Sequence, residues 1–282
     1  MDGADPSVID ADEFEGLWNA AGRFVYPKNI AMTLALETID LTKRFAGIVA
    51  TSNVSLQIAR GARHALIGPN GAGKTTLINL LTGVQRPSSG RIMFDGEDIG
   101  NFPTHKRVRL GIVRTFQINQ LFGDLTPLET IGLAVSERRG QGLDWWRIVG
   151  SRPDLVTEVV EILERFHLSD VMNTRAGILP YGKQRLLEIA VAIACRPRVL
   201  LLDEPAAGVP EDERHEILSA VASLPADVTV LLIEHDMDIV FAFADRISVL
   251  VNGALFVEGN PEEVARDPRV KAVYLGEELA DA

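Results

Sequence analysis

The chain has 282 residues, 46% hydrophobic, 24% charged and 6% aromatic, with 24 Gly and 14 Pro, which is ordinary globular usage and enough chain to bury a core without metal or disulfide staples. Asp and Glu outnumber Lys and Arg 39 to 28, and a net charge of −11 has the wrong sign for a general phosphate-backbone binder, so nucleic acid is excluded as a main partner. Cys195 is the only cysteine, which excludes an intrachain disulfide and a cysteine-built zinc site and fits a reducing compartment, and no apolar run reaches the ~18 residues of a membrane span.

Residues 1–32 read as an acidic N-terminal extension. Asp2, Asp5, Asp10, Asp12, Glu13 and Glu15 stand against Arg23 and Lys28, which excludes a secretory signal. Phe14, Leu17, Trp18 and Ala21 fall at i, i+3, i+4 and i+7, the spacing of a short amphipathic helix that rests on its own domain in preference to a partner. From Leu34 the pattern becomes short strand-type runs, LALETI, VSLQI and RHALI, the last running into GPNGAGKTT and then the helical TTLINLLTG. RIMFDG resumes strand character before Pro103.

Between 125 and 195 the periodicity is helical. Thr126, Pro127 and Glu129 read as N-cap, N1 and N3 of a capped helix with Leu128, Ile131 and Val135 on one face. A second helix follows Pro153, with Leu155, Val159, Ile162, Leu163 and Phe166 on its apolar face. Trp145 and Trp146 are read as packing residues, and Cys195 as an inert thiol closing a helix that buries Leu186, Ile189, Ala190 and Ile193. Alternating units then return: VLLLD as a buried strand, a charged helix from about Glu211, VTVLLI as a strand, a helix from about Met237, and RISVLV and ALFVEG joined by the hairpin pair Asn252-Gly253.

The segment Gly68, Pro69, Asn70, Gly71, Ala72, Gly73, Lys74, Thr75, Thr76 fits G-x-x-x-x-G-K-[ST] between a strand and a helix. Its glycines let the backbone wrap a phosphate, successive N–H groups face the anion, Lys74 reaches the terminal phosphates and the Thr75 hydroxyl holds Mg²⁺. Such a loop needs an acid to organise the metal. VLLLDEP supplies Asp203 at a strand end, and Glu204 behind it supplies a second carboxylate to orient or deprotonate an attacking water.

Further motifs follow in an order that resembles the ATPase subunits of ABC transporters, over roughly 34–276. Gln117 in RTFQ sits where that family places a glutamine that senses Mg²⁺ and connects to the membrane subunit. The signature segment reads LPYGKQ, with Gly182 facing a nucleotide held by the partner subunit. His235 in IEHD looks like the switch histidine on the γ-phosphate, and Phe45 in KRFAG resembles the aromatic that stacks on adenine. The resemblance implies an α/β fold, a P-loop NTPase with a RecA-like core and an antiparallel β subdomain, interrupted by an inserted α-helical subdomain at about 119–195. The ATPase domain would span 33–276 and a tail 277–282.

YGKQRLLEIA, PAAGVP, IEHDMD and DPRVKAVYLGEE further resemble the larger ATPase subunit of branched-chain amino-acid and amide importers. ATP and Mg²⁺ are the implied cofactors. The implied partners are a second ATPase subunit, transmembrane permease subunits near Gln117 and 118–126, and indirectly an extracytoplasmic solute-binding protein, with this chain on the cytoplasmic face of a bacterial-type inner membrane. Two positions depart from the family. Pro180 replaces the signature serine that donates to the γ-phosphate across the dimer, and Pro210 replaces an aspartate that couples the two sites. Proline has neither hydroxyl nor N–H, although it is tolerated at a first helical position. Lys183, in place of the usual Gln, either adds a cation or lies solvated. These departures favour a heterodimer whose other subunit has an intact signature. They leave as alternatives a weakly or non-hydrolysing partner subunit and an exporter ATPase, the latter lacking the YGKQ and C-terminal patterns.

Overall fold

The computed structural model describes residues 33–115, 121–140 and 153–275. The expected N-terminal helix, Gln117, Trp145, Trp146 and the tail 277–282 lie outside these residues.

Two sheets organise the fold. The first is antiparallel: β1 (Leu34–Phe45) pairs with β2 (Ile48–Val54), β3 (Gln57–Ala59) and β5 (Ser89–Phe94), and β5 with β6 (Glu97–Asp98). The second has the order β11-β10-β4-β9-β8-β7, in which β10 (Arg246–Val251), β4 (Arg63–Ile67), β9 (Thr229–Ile233), β8 (Val199–Asp203) and β7 (Ile112–Arg114) run parallel and β11 (Ala254–Gly259) closes the edge antiparallel.

The unbroken apolar runs of β8 and β9 have a direct cause: both faces of the sheet are covered. Leu200, Leu202, Val230 and Leu232 enter the core beneath the helices. Their neighbours Val199, Leu201, Leu231 and Ile233 enter a second core shared with β1, β5 and α1 (Lys74–Leu81), whose Leu77, Ile78, Leu80 and Leu81 are all buried between the two sheets. A third cluster joins Ala65, Ile67, Ile247 and Val249 to α7 (Met237–Phe243), α8 (Pro261–Arg266) and α9 (Pro268–Leu275) through Val240, Val264 and Val270. At the β10–β11 turn, Asn252 and Gly253 have φ of 49° and 79°, the two left-handed residues of a tight hairpin turn.

The helices α3 (Pro127–Arg138), α4 (Pro153–Arg165) and α5 (Tyr181–Ala194) share the first core through Ile131, Val135, Leu155, Val159, Leu163, Phe166, Leu186 and Ala190. Thr126 and Glu129 form the full capping box that their spacing predicts. Helix α2 (Thr104–Leu110) and strands β2, β6 and β7 were not expected from the sequence pattern. Helix α6 (Glu211–Ala222) starts where its charge pattern places it.

Pro180 and Pro210 are the N-caps of α5 and α6 rather than first helical residues, at nearly identical backbone angles (φ −51°, ψ 148° and φ −52°, ψ 147°). A proline N-cap has no side-chain oxygen for the first free N–H groups. In α5 a neighbour provides it: Gly182 N–H donates to Glu213 Oε2 of α6 at 3.0 Å. Lys183 is neither solvated nor free, since its ammonium donates to His167 O at 2.7 Å and to Glu216 at 3.0 Å. Among the described residues, no helix is long and apolar enough to cross a membrane.

Candidate functional site

The carboxyl ends of parallel strands are where a doubly covered sheet presents its loops to a ligand. Here β4 ends at Ile67 and delivers Gly68, β8 ends at Asp203, and β9 ends at Ile233 and delivers Glu234 and His235. Register fixes their proximity: Leu66 and Asp203 each pair with Ile233, and Arg114 at the end of β7 pairs with Leu201.

The loop from Gly68 to the start of α1 is built on glycines for steric reasons. Gly68, Gly71 and Gly73 have φ of 154°, 80° and 98°. A Cβ on Gly73 would stand 2.4 Å from Ala50 O of β2, so the antiparallel sheet packs directly against the loop. The loop is also pinned by Gly253 N–H, which donates to Ala72 O at 2.9 Å. Lys74 folds its ammonium onto Gly68 O at 2.6 Å and Pro69 O at 3.0 Å, spanning the mouth of the loop. Burial lowers its pKa from the ordinary lysine value, against the raising influence of Glu204 and Asp203. Thr75 is exposed on the first turn of α1 and Thr76 half-buried, Asn70 is exposed, and Pro69 is half-buried.

Asp203 is buried, and its Oδ2 accepts from Arg114 Nη2 at 2.6 Å. Arg114 Nη1 donates to Asn79 Oδ1 of α1 at 2.7 Å, so a single guanidinium bridges the acid strand and the helix behind the loop. Neither Arg114 nor Asn79 emerges from motif reasoning, although Arg114 opens the RTFQ segment. Glu204 has a left-handed backbone (φ 47°), an uncommon conformation that turns the chain out of β8, and its N–H donates to Ile233 O at 2.9 Å. His235 is exposed, and its Nδ1 lies 3.8 Å from Glu204 Oε1. Glu234, also absent from the motif reading, is buried beneath it.

Phe45 is exposed at the end of β1, with Lys43 Nζ 5.0 Å from its ring centre, on the hairpin whose Ala50 abuts the phosphate loop. Gly182 is buried in the first turn of α5, beside Glu213 of α6. Exposed Phe122 and Ile178 flank a backbone contact in which Gly177 N–H donates to Gly123 O at 2.9 Å. Cys195 is half-buried at the end of α5, and burial raises its thiol pKa, as expected of an unreactive side chain.

The site brings together a glycine loop with a lysine, a buried aspartate held by arginine, a strand-end glutamate and a histidine. Such a set binds a nucleoside triphosphate and can assist water attack on its terminal phosphate. The sequence profile of the ABC transporter family matches residues 51–207, and that of the branched-chain amino acid ATP-binding cassette transporters matches residues 255–280. The chain is 41% identical over 251 residues to the high-affinity branched-chain amino acid transport ATP-binding protein BraF of Pseudomonas aeruginosa, covering 86% of this chain and 98% of that protein. It is 38% identical over 249 residues to LivG of Escherichia coli, which carries the same description, with 86% and 98% covered. Its fold is similar to the crystal structure of the ADP conformation of an ATP-binding cassette of an ABC transporter, with a TM-score of 0.75, 34% identity, and 86% of this chain and 99% of that one covered.

Proposed function

Because this chain belongs to the ABC transporter family of ATP-binding cassettes, we propose that it is the ATP-hydrolysing subunit of an importer of branched-chain amino acids or related amides. It would work as a peripheral subunit on the cytoplasmic face of an inner membrane, beneath permease subunits that receive solute from an extracytoplasmic binding protein. The observation that carries the reading is the convergence of the Lys74 loop, Asp203, Glu204 and His235 on one edge of the parallel sheet.

The backbone N–H groups of 70–76 and the Lys74 ammonium receive the β- and γ-phosphates, and Phe45 stacks on adenine. The buried carboxylate of Asp203 and the exposed hydroxyl of Thr75 offer hard oxygen donors beside a phosphate loop, a donor set that suits Mg²⁺, with Gln117 as a further ligand. Bound there, the ion would neutralise charge developing on the transferring phosphoryl group. Glu204 orients the water and takes its proton, Lys74 stabilises the β–γ bridge, and His235 holds the γ-phosphate in position. Two ATPase subunits close head to tail, so that Gly182 meets the nucleotide of the partner. The inserted helical segment, 119–195, moves with closure, and exposed Phe122 and Ile178 mark its docking edge for the permease.

Pro180 and Pro210 remove two trans contacts from the half-site this chain lends its partner, while its own phosphate loop, acids and histidine are complete. A heterodimer therefore serves it best. Purified alone it is expected to hydrolyse ATP slowly, and fast cooperative turnover by the homodimer would contradict the pairing. The test of function is ATP turnover in liposomes by the subunit co-purified with its membrane complex, across a panel of binding proteins and amino acids. Solute-stimulated turnover that vanishes on Lys74→Ala supports the reading, and turnover indifferent to Lys74 overturns it.

A further inference from the structure

Glu234 follows β9, a strand of five fully buried residues, and is itself buried with 2% of its side chain exposed. A carboxylate is a costly occupant of such a place, since desolvation disfavours its charged form. Burial raises its pKa, and the N–H groups of Ala206 and His235, with the His235 ring, pull the other way.

Its two oxygens do different things. Oε1 accepts the Ala206 N–H at 3.4 Å and Oε2 accepts the His235 N–H at 3.3 Å. Oε2 also lies 3.8 Å from His235 Nδ1, the ring nitrogen that stands 3.8 Å from Glu204 Oε1. Ala206 lies two residues beyond Glu204, in the turn that the left-handed Glu204 initiates. One buried carboxylate therefore spans the loop that carries the water-side acid and the loop that carries the histidine. It also brackets the imidazole so that Nδ1 faces the two carboxylates and Nε2 is left for the phosphate.

We propose that Glu234 is a positioning residue of the hydrolytic site, setting the separation of the Glu204 loop from His235 and the orientation of the His235 ring. The inference rests on the reading that this site hydrolyses ATP. Both backbone N–H groups require an acceptor, and only a carboxylate offers one on each side. Glu234→Gln keeps the volume but turns an NH₂ group toward one of them, and Glu234→Asp keeps the charge but is one methylene too short to reach both.

The test compares steady-state ATP turnover by the full chain assembled with its membrane complex, for wild type, Glu234→Gln, His235→Ala and the double variant. Glu234→Gln is expected to lower kcat by about tenfold to hundredfold, as misplacement near a reacting centre does, with KM changed less than about twofold. The double variant is expected to lose less than the sum of the two single losses, because the two residues are in contact and part of the Glu234 effect acts through the His235 ring. A residue that only supports the fold would instead lower the melting temperature and leave kcat per folded molecule unchanged, which would overturn the proposal. Full additivity in the double variant would do the same. Glu234→Asp repeats the comparison where Gln does not fold, with the same kcat loss expected. Active wild type matched by active Glu234→Gln overturns this inference alone, whereas inactive wild type overturns the hydrolytic reading and this inference together.

Discussion

Arg114 Nη2 donates to Asp203 Oδ2 at 2.6 Å, and the pair is nearly enclosed, with 11% and 2% of the two side chains exposed. The carboxylate of Asp203 is therefore oriented by a cation that reaches it from β7, while the same guanidinium anchors Asn79 of α1. Removing the cation would strand a buried carboxylate, which in comparable pairs destabilises by roughly 3 to 5 kcal/mol. Arg114→Ala is expected to lower the melting temperature and to raise the Mg²⁺ concentration needed for half-maximal ATP turnover. Arg114→Lys keeps the charge but cannot span Asp203 and Asn79 together, so it should recover stability in part and the Mg²⁺ requirement less. Titrations of turnover against Mg²⁺, alongside thermal melts, read both effects.

The Gly182 N–H accepted by Glu213 substitutes for the cap that Pro180 cannot supply. Loss of an N-cap acceptor costs about 0.5 to 2 kcal/mol, and Glu213→Ala is expected to fall in that range. Urea unfolding of the two proteins measures it. Pro180→Ser should relieve most of the loss in the Glu213→Ala background, because its hydroxyl then caps the same helix.

His64 gives stability a defined pH dependence. It is buried at β4, its Nε2 is 2.8 Å from Ser248 Oγ, and Ser248 in turn donates to Glu258 at 2.7 Å. Burial lowers the imidazole pKa to about 4, opposed by Glu258 and assisted by Arg246. The unfolded chain takes up this proton near pH 6.5 and the folded chain near pH 4, so the unfolded state binds more protons between those values. The contribution of His64 is complete above about pH 6.5 and falls as pH drops toward 4, by on the order of 2 kcal/mol at pH 5. Denaturant melts at pH 5 and pH 7.5 should differ less in His64→Gln, which keeps a partner for Ser248, than in wild type.

The parts of this fold legible in the sequence are those written in short spans. The capping box of Thr126 and Glu129, the left-handed Asn252-Gly253 turn and the double-sided apolar runs of β8 and β9 each carry their cause within a few residues. Strand β7 is three residues long and exists through its pairing with β8, and β2 is half exposed, which blurs its alternation. The glycine turn at 68–73 and the buried strand that ends at Asp203 were legible for the same local reason. Arg114, Glu213 and Glu234 were not, because each acts on a group distant in the chain: Asp203 is 89 residues from Arg114, Gly182 is 31 from Glu213 and Ala206 is 28 from Glu234. Only the sheet register and the helix packing bring them together.

The role given to Glu204 bears most directly on function. Its carboxylate stands out of β8 on a left-handed backbone, partly exposed and 3.8 Å from His235 Nδ1. Glu204→Gln preserves shape and removes the base. The decisive measurement is phosphate release together with nucleotide retention, in the subunit co-purified with its membrane complex and supplied with Mg²⁺ and ATP. Turnover is expected to fall by about a hundredfold or more, with ATP retained in a closed, stable pair of ATPase subunits. Turnover within about twofold of wild type, without trapped ATP, would contradict Glu204 as the residue that activates water.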